Sequence, residues 1–213
     1  MKKFGAELFG TFMIALVFNL TIVPPAVGAF AALAVGLTTM ALMVAASPIS
    51  GGHFNPAITV GALVRGRIGV KDSVLYLIAQ ILGAALAGFV VNYYRHGGFG
   101  PAAVPSTFEV EKVVIGEFLF TLALVCVFLS VTARAGMAEG VAQGAAVGSI
   151  LVAGMFSVFG NTGGVFNPAI AVSRCLTGLG GWEILWVYLA AMFAAGIAGG
   201  FMNRFMGPAE NQR

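Results

Sequence analysis

The chain alternates long apolar runs with short polar or glycine- and proline-rich breaks. Crossing a bilayer takes about 20 mainly apolar residues. Six runs meet that length: 4–22, 27–47, 72–94, 110–132, 138–159 and 182–205. Pro24-Pro25 makes a very short first connection, and Arg65 to Asp72 forms a charged loop. Arg95 to Pro105 reads as a loop rich in glycine and proline, and Arg134 to Gly136 as a tight turn. Two apolar segments, 55–64 and 167–176, are too short to span. The first opens on Asn55, Pro56 and Ala57, the second on Asn167, Pro168 and Ala169. Asn caps a helix through its side-chain oxygen, and Pro suits the first helical turn. Gly51-Gly52 and Gly163-Gly164 let the backbone before each cap turn sharply. Each short segment therefore reads as a half-helix that starts at membrane depth. Irregular backbone is tolerated there only where protein buries it or water lines it.

The same pattern occurs twice. "GGHFNPAITV" returns as "GGVFNPAIAV", which places Asn55 and Asn167 112 positions apart (167 − 55). "AELFGTF" returns as "GEFLFTL", so Glu7 and Thr11 recur as Glu117 and Thr121. The chain is then a single domain, 1–213, of two repeats at about 1–105 and 106–213. Each repeat holds three spans and one half-helix. Three is odd, so the second repeat is inverted relative to the first. Inversion brings the half-helices to the midplane from opposite faces.

Composition agrees with a membrane chain. Of 213 residues, 59% are hydrophobic and 9% charged, against about 25% charged in soluble domains. Such a chain cannot cover a water-facing surface, so the bilayer is its first partner. A net charge of +3 invites a nucleic-acid reading, but the basic residues are better explained as loop residues that set topology. With the N-terminus inside, Lys2, Lys3, Arg65, Arg67, Lys71, Arg134, Arg204 and Arg213 fall on the cytoplasmic side. Arg95, Lys112 and Arg174 do not. This asymmetry predicts both termini in the cytoplasm. The first apolar run reads as a span rather than a cleaved signal. Cys126 and Cys175 have neither Cys nor His at metal-ligand spacing, so no metal or other cofactor is expected.

The candidate chemistry is that of a pore. Half-helices meeting end to end place two positive dipole ends at the centre of the membrane. Asn55 and Asn167 add amide donors there. A water accepting from both would turn its hydrogens outward, which breaks a proton wire, while the positive field repels cations. Glu7 and Glu117 lie in spans, where an acid needs partners. Either they titrate as a relay in a coupled carrier, or they accept loop N–H groups and anchor each half-helix; their symmetric pairing favours the anchor. His53, two before Asn55, lacks a second ligand for a metal and reads as a loop brace or a pore-lining group. No nucleophile–base or carboxylate pair marks an enzyme. Small-residue runs such as 83–88 and 194–200 allow close helix packing and oligomerisation. Tyr93, Tyr94, Trp182 and Trp186 read as interface anchors.

On "GGHFNPAITVG", "GGVFNPAI" and the Glu/Thr pairs, almost the whole chain resembles the major intrinsic protein family, the aquaporins and aquaglyceroporins. The proton-breaking arrangement above is the one already attributed to aquaporin-type pores. The resemblance implies an aquaporin-like fold and a homotetramer in which each subunit has its own pore, most simply in the plasma membrane. It also implies passive conduction of water or small neutral solutes, with the two glutamates bracing the loops.

The resemblance further implies a selectivity filter of an aromatic, a His, a small residue and an Arg. The matching positions here are Val35, Met155, Gly164 and Ile170. Only the small position fits the pattern. Ile170 supplies neither the fixed charge nor the directed donors of Arg. Backbone carbonyls from Asn161 to Gly163 are then expected to form the polar wall. Arg174, one turn beyond Ile170, is expected to meet a loop carbonyl, a headgroup or a neighbouring subunit. Ala171 and Cys175 stand where glycerol-conducting members carry an acid and a base, whereas Tyr188-Leu189 half-matches an aromatic pair of water-conducting members. The cargo stays open. So do two rivals: a coupled carrier working through Glu7 or Glu117, and a structural membrane protein with a closed pore.

Overall fold

The structure is a computed structural model describing residues 1–22, 27–28, 30–96, 109–132 and 139–206. Among the described residues eight helices follow in order: α1 Lys2–Ile22, α2 Phe30–Ser50, α3 Pro56–Arg65, α4 Val70–His96, α5 Val110–Val131, α6 Glu139–Thr162, α7 Pro168–Leu176 and α8 Leu185–Met206. No strand occurs among the described residues. Six of the helices are long and apolar enough to cross a membrane, and α3 and α7 are the two short ones. Pro24-Pro25, most of the 95–105 loop and the 134–136 turn lie outside the described residues. Arg95 itself belongs to the last turn of α4, where it donates to the Leu20 carbonyl at 2.6 Å.

The helices are apolar outside and carry their polar groups inside. On α4, Leu82, Leu86 and Phe89 are exposed at helical spacing, while Gln80 and Asn92 are buried. This inverts a soluble helix, because hydrocarbon, unlike water, cannot satisfy a polar side chain. Tyr93, Tyr94, Trp182 and Trp186 are all exposed.

Helix contacts keep their pattern when the first four helices are exchanged for the last four. The pairs α1–α4 and α5–α8 correspond, as do α1–α2 and α5–α6, and α3–α8 and α7–α4. The pairs α2–α6 and α3–α7 map onto themselves. The α2–α6 crossing is centred on Gly36 and Gly148, which are 112 positions apart (148 − 36) like the two caps. A Cβ on Gly36 would stand 2.8 Å from the Gly148 carbonyl oxygen, and a Cβ on Gly148 2.7 Å from that of Gly36. Small residues at such a crossing let backbones approach closely, which is the main packing gain between helices in lipid.

α2 and α6 both run further than the hydrophobic pattern predicts, to Ser50 and Thr162. α2 does so past Pro48, which removes one hydrogen bond from its last turns. The extra turn carries two hydroxyls into the site described next.

Candidate pore at the junction of the half-helices

Each loop turns through the same backbone sequence. Gly51 and Gly52 take φ of 84° and 65°, and Gly163 and Gly164 take 83° and 57°. Phe54 and Phe166 follow at 51° and 48°. Positive φ in a bulky residue costs on the order of 1–3 kcal/mol and persists only when its surroundings hold it. Here both sides of the residue are held. The Phe54 and Phe166 N–H groups donate to Glu7 and Glu117 Oε2, each at 2.7 Å. Their carbonyls accept from the Asn of the opposite half: Asn167 Nδ2 to Phe54 at 2.9 Å, and Asn55 Nδ2 to Phe166 at 2.8 Å. Asn55 Oδ1 accepts from the Ala57 N–H at 2.9 Å and Asn167 Oδ1 from the Ala169 N–H at 3.0 Å, capping α3 and α7. Reciprocal bonds thus join the half-helices end to end. Each Asn NH2 has two hydrogens, and one on each is taken by this cross-link.

Both glutamates are fully buried and receive several donors. Glu7 Oε1 accepts from Ser50 Oγ at 2.6 Å and the His53 N–H at 3.0 Å. Its Oε2 takes Gln80 Nε2 at 2.8 Å in addition to Phe54. Glu117 Oε1 accepts from Thr162 Oγ1 at 2.7 Å and the Val165 N–H at 3.0 Å. Two tyrosines complete the frame: the Tyr76 hydroxyl donates to the Ser50 carbonyl at 2.8 Å, and the Tyr188 hydroxyl to the Thr162 carbonyl. Gln80, Tyr76 and the bracing role of Tyr188 escape a motif search because they lie on other helices, more than 20 positions from the Asn caps. The usable signal was the equal spacing of Tyr76 and Tyr188 from their Asn caps, 21 positions in each half (76 − 55 and 188 − 167).

Val35, Met155, Gly164 and Ile170 line one narrow cavity together with Asn55, Asn167 and His53. The rest of its wall is mainly apolar and includes Met43 and Phe18. Its volume is about 20 Å³, room for about one water. Of the polar wall expected between 161 and 163, none lines this cavity; Gly164 and Val165 do. The reason is that Tyr188 occupies the Thr162 carbonyl and Gly163 is packed beneath Arg174.

His53 also lines a second cavity of about 820 Å³, walled by Lys3, Gly51, Arg67, Asp72, Tyr76 and Gln143 among others. It therefore stands between the wide space and the narrow one. Its ring is wedged edge-on against Tyr76 and Phe128, with centroids 5.2 and 5.1 Å away. Its Nδ1 is 3.1 Å from Thr59 Oγ1. Its backbone N–H braces Glu7, and the residue lines both cavities. Arg174 is buried and donates to the Leu179 carbonyl at 3.0 Å, the first of its three expected partners. No group of three or more His, Cys, Asp or Glu suited to a metal occurs among the described residues.

These features define the class: a polytopic membrane protein with two half-helices meeting beside a narrow central cavity. The family model described as Major intrinsic protein matches residues 1–203. The chain is 34% identical over 215 residues to glycerol uptake facilitator protein-like 6 of Lactiplantibacillus plantarum, covering 97% of this chain and 99% of that one. It is 29% identical to aquaporin Z of Photorhabdus laumondii, covering 97% of each. The X-ray structure of the aquaglyceroporin from Plasmodium falciparum matches the fold with a TM-score of 0.78 at 22% identity, over 96% of each chain. The chain belongs to the major intrinsic protein family. It is an integral, multi-pass membrane channel for water or small solutes, and not an enzyme.

Proposed function

We propose that the chain conducts small uncharged molecules in single file through its own centre. Val35, Met155, Gly164 and Ile170 act as the filter, and Asn55 and Asn167 as the central hydrogen-bonding station. The observation that carries this reading is the convergence of all four filter positions and both Asn residues on one narrow, mainly apolar cavity. The second N–H of each Asn amide is the donor offered to a passing solute. Glu7 and Glu117 serve as anchors. Every carboxylate oxygen already accepts from at least one fixed donor in the loop or its neighbours, which disfavours a titrating carrier. Both termini lie in the cytoplasm and the 820 Å³ cavity is the inner vestibule. The channel works as a homotetramer in the plasma membrane.

The apolar filter selects by size and by ease of dehydration, because Ile170 offers neither charge nor donors where an Arg would. A narrow apolar constriction favours molecules that shed water cheaply. Ammonia should therefore be favoured over water here more than behind an Arg-bearing filter. The test is stopped-flow swelling of vesicles holding the purified protein, comparing water, ammonia, urea and glycerol, with a proton-sensitive dye inside. Conduction of water with every other solute excluded would overturn the apolar-filter reading. The Ile170→Arg variant should lower the ammonia-to-water ratio by about tenfold, the scale of roughly 1.4 kcal/mol of barrier. An unchanged ratio would show that Ile170 does not line the constriction.

A further inference from the structure

The two-fold relation between the halves assigns a role to Arg174. Its counterpart, 112 positions earlier, is Ala62 (174 − 62). Ser50, Gly51, His53, Ala62 and Tyr76 all line the wide inner cavity. Their counterparts at the opposite end of the passage are Thr162, Gly163, Val165, Arg174 and Tyr188. There Arg174 stands in the position of Ala62 and is only 5% exposed. It is pressed against Gly163: a Cβ on that glycine would stand 2.7 Å from Nη1 and 3.0 Å from Cζ. Gly51 is accordingly half-buried, whereas Gly163 is buried. The guanidinium carbon also lies 5.7 Å from the Tyr188 ring centroid, and Nη2 ties the group to Leu179. Through Tyr188 and Thr162 this packing continues to Glu117.

We infer that Arg174 is a specificity-determining residue of the outer mouth. It narrows the entrance, steadies the Gly163-Gly164 turn beside the filter, and supplies from one turn outside Ile170 the fixed positive charge that the filter lacks. Within a low-dielectric passage its potential adds to that of the two half-helix N-termini, raising the barrier to cations. Shape and charge thus come from different places: an apolar ring at Ile170 and a cation outside it. This inference rests on the chain conducting as proposed above.

The test uses full-length protein in vesicles with three variants. Arg174→Gln keeps a polar side chain with an N–H donor, though a shorter one, and removes the charge. It should raise proton and sodium leak about tenfold relative to the water flux of the same variant. Arg174→Lys should keep the leak near the parent level. Arg174→Ala should raise neutral-solute rates severalfold by opening the mouth. Parent channels that conduct, together with Gln and Ala variants matching them in leak and solute rates, would overturn the role of Arg174 alone. A silent parent with a conducting Ala variant would overturn the selective role, because a mouth that Arg174 closes completely selects nothing. A silent parent with silent variants would overturn both this inference and the proposed conduction. If the Ala variant does not fold, the Gln and Lys pair still decides the charge.

Discussion

The two halves of this channel solve one problem with unequal means. Each must hold a half-helix end at membrane depth, and each does so with a buried glutamate, a hydroxyl on the last helical turn, a tyrosine and a Phe at positive φ. Around that shared frame the first half is polar. Gln80 bridges Glu7 and Thr59, and Thr59 meets His53. The corresponding places in the second half are Met192, Ala171 and Val165. Glu7 therefore has four donors and Glu117 three. The polar extension stands beside the wide cavity, which His53 helps to line. The apolar version stands beside the constriction, where polar side chains would change what passes. The frame answers to the backbone, while the residues around it answer to what each side of the passage does.

The largest expected effect lies where the halves are alike. Gly148→Val should force α2 and α6 apart, because the new Cβ would meet the Gly36 backbone carbonyl, which cannot rotate away as a side chain can. A loss of about 3 kcal/mol is expected, read as a lower midpoint of thermal denaturation in detergent. Gly160→Ala on the same helix meets nothing within 4 Å and serves as the control. An unaltered midpoint for Gly148→Val would mean the crossing is not close-packed.

The next effect separates the halves. Glu117→Gln sets an amide against the N–H of Phe166 or of Val165, where only the Thr162 hydroxyl can turn to accept it, costing about 2 kcal/mol. In Glu7→Gln the neighbouring Gln80 amide can flip, offering its oxygen to the new NH2, so the loss should be about half as large. Equal losses, measured by the same melting assay, would show that Gln80 does not buffer the first half. The smallest effect comes from making the first half resemble the second. His53→Val removes the Thr59 contact and should cost about 1 kcal/mol. It should also slow water entry severalfold in stopped-flow swelling, since a polar group at the neck is replaced by an apolar one. Unchanged flux would place His53 outside the pathway.

Much of the architecture is legible along the chain because lipid imposes simple rules. Run length marks spans, and a run too short to span that opens on Asn-Pro marks a half-helix. Asn55, Asn167, Glu7 and Glu117 stand out because each is polar in an apolar run and each has a twin. Gln80 is equally polar and equally buried, yet it lacks a twin, since Met192 stands in its counterpart position. Periodicity also does not reveal that each Asn would donate to the opposite Phe carbonyl, because that bond joins residues over 110 positions apart.

By itself the sequence determined the spans, the paired half-helices, the twofold repeat and the absence of an arginine after the second Asn-Pro-Ala. These are local matters of hydrophobic length, capping chemistry and backbone freedom. Only the tertiary structure decided which side chains share the narrow cavity, how the strained Phe54 and Phe166 are held, and where the displaced Arg174 comes to rest. Those outcomes depend on distances between groups brought together by packing. No local rule sets such distances, because each is the joint result of several helices fitting around one centre.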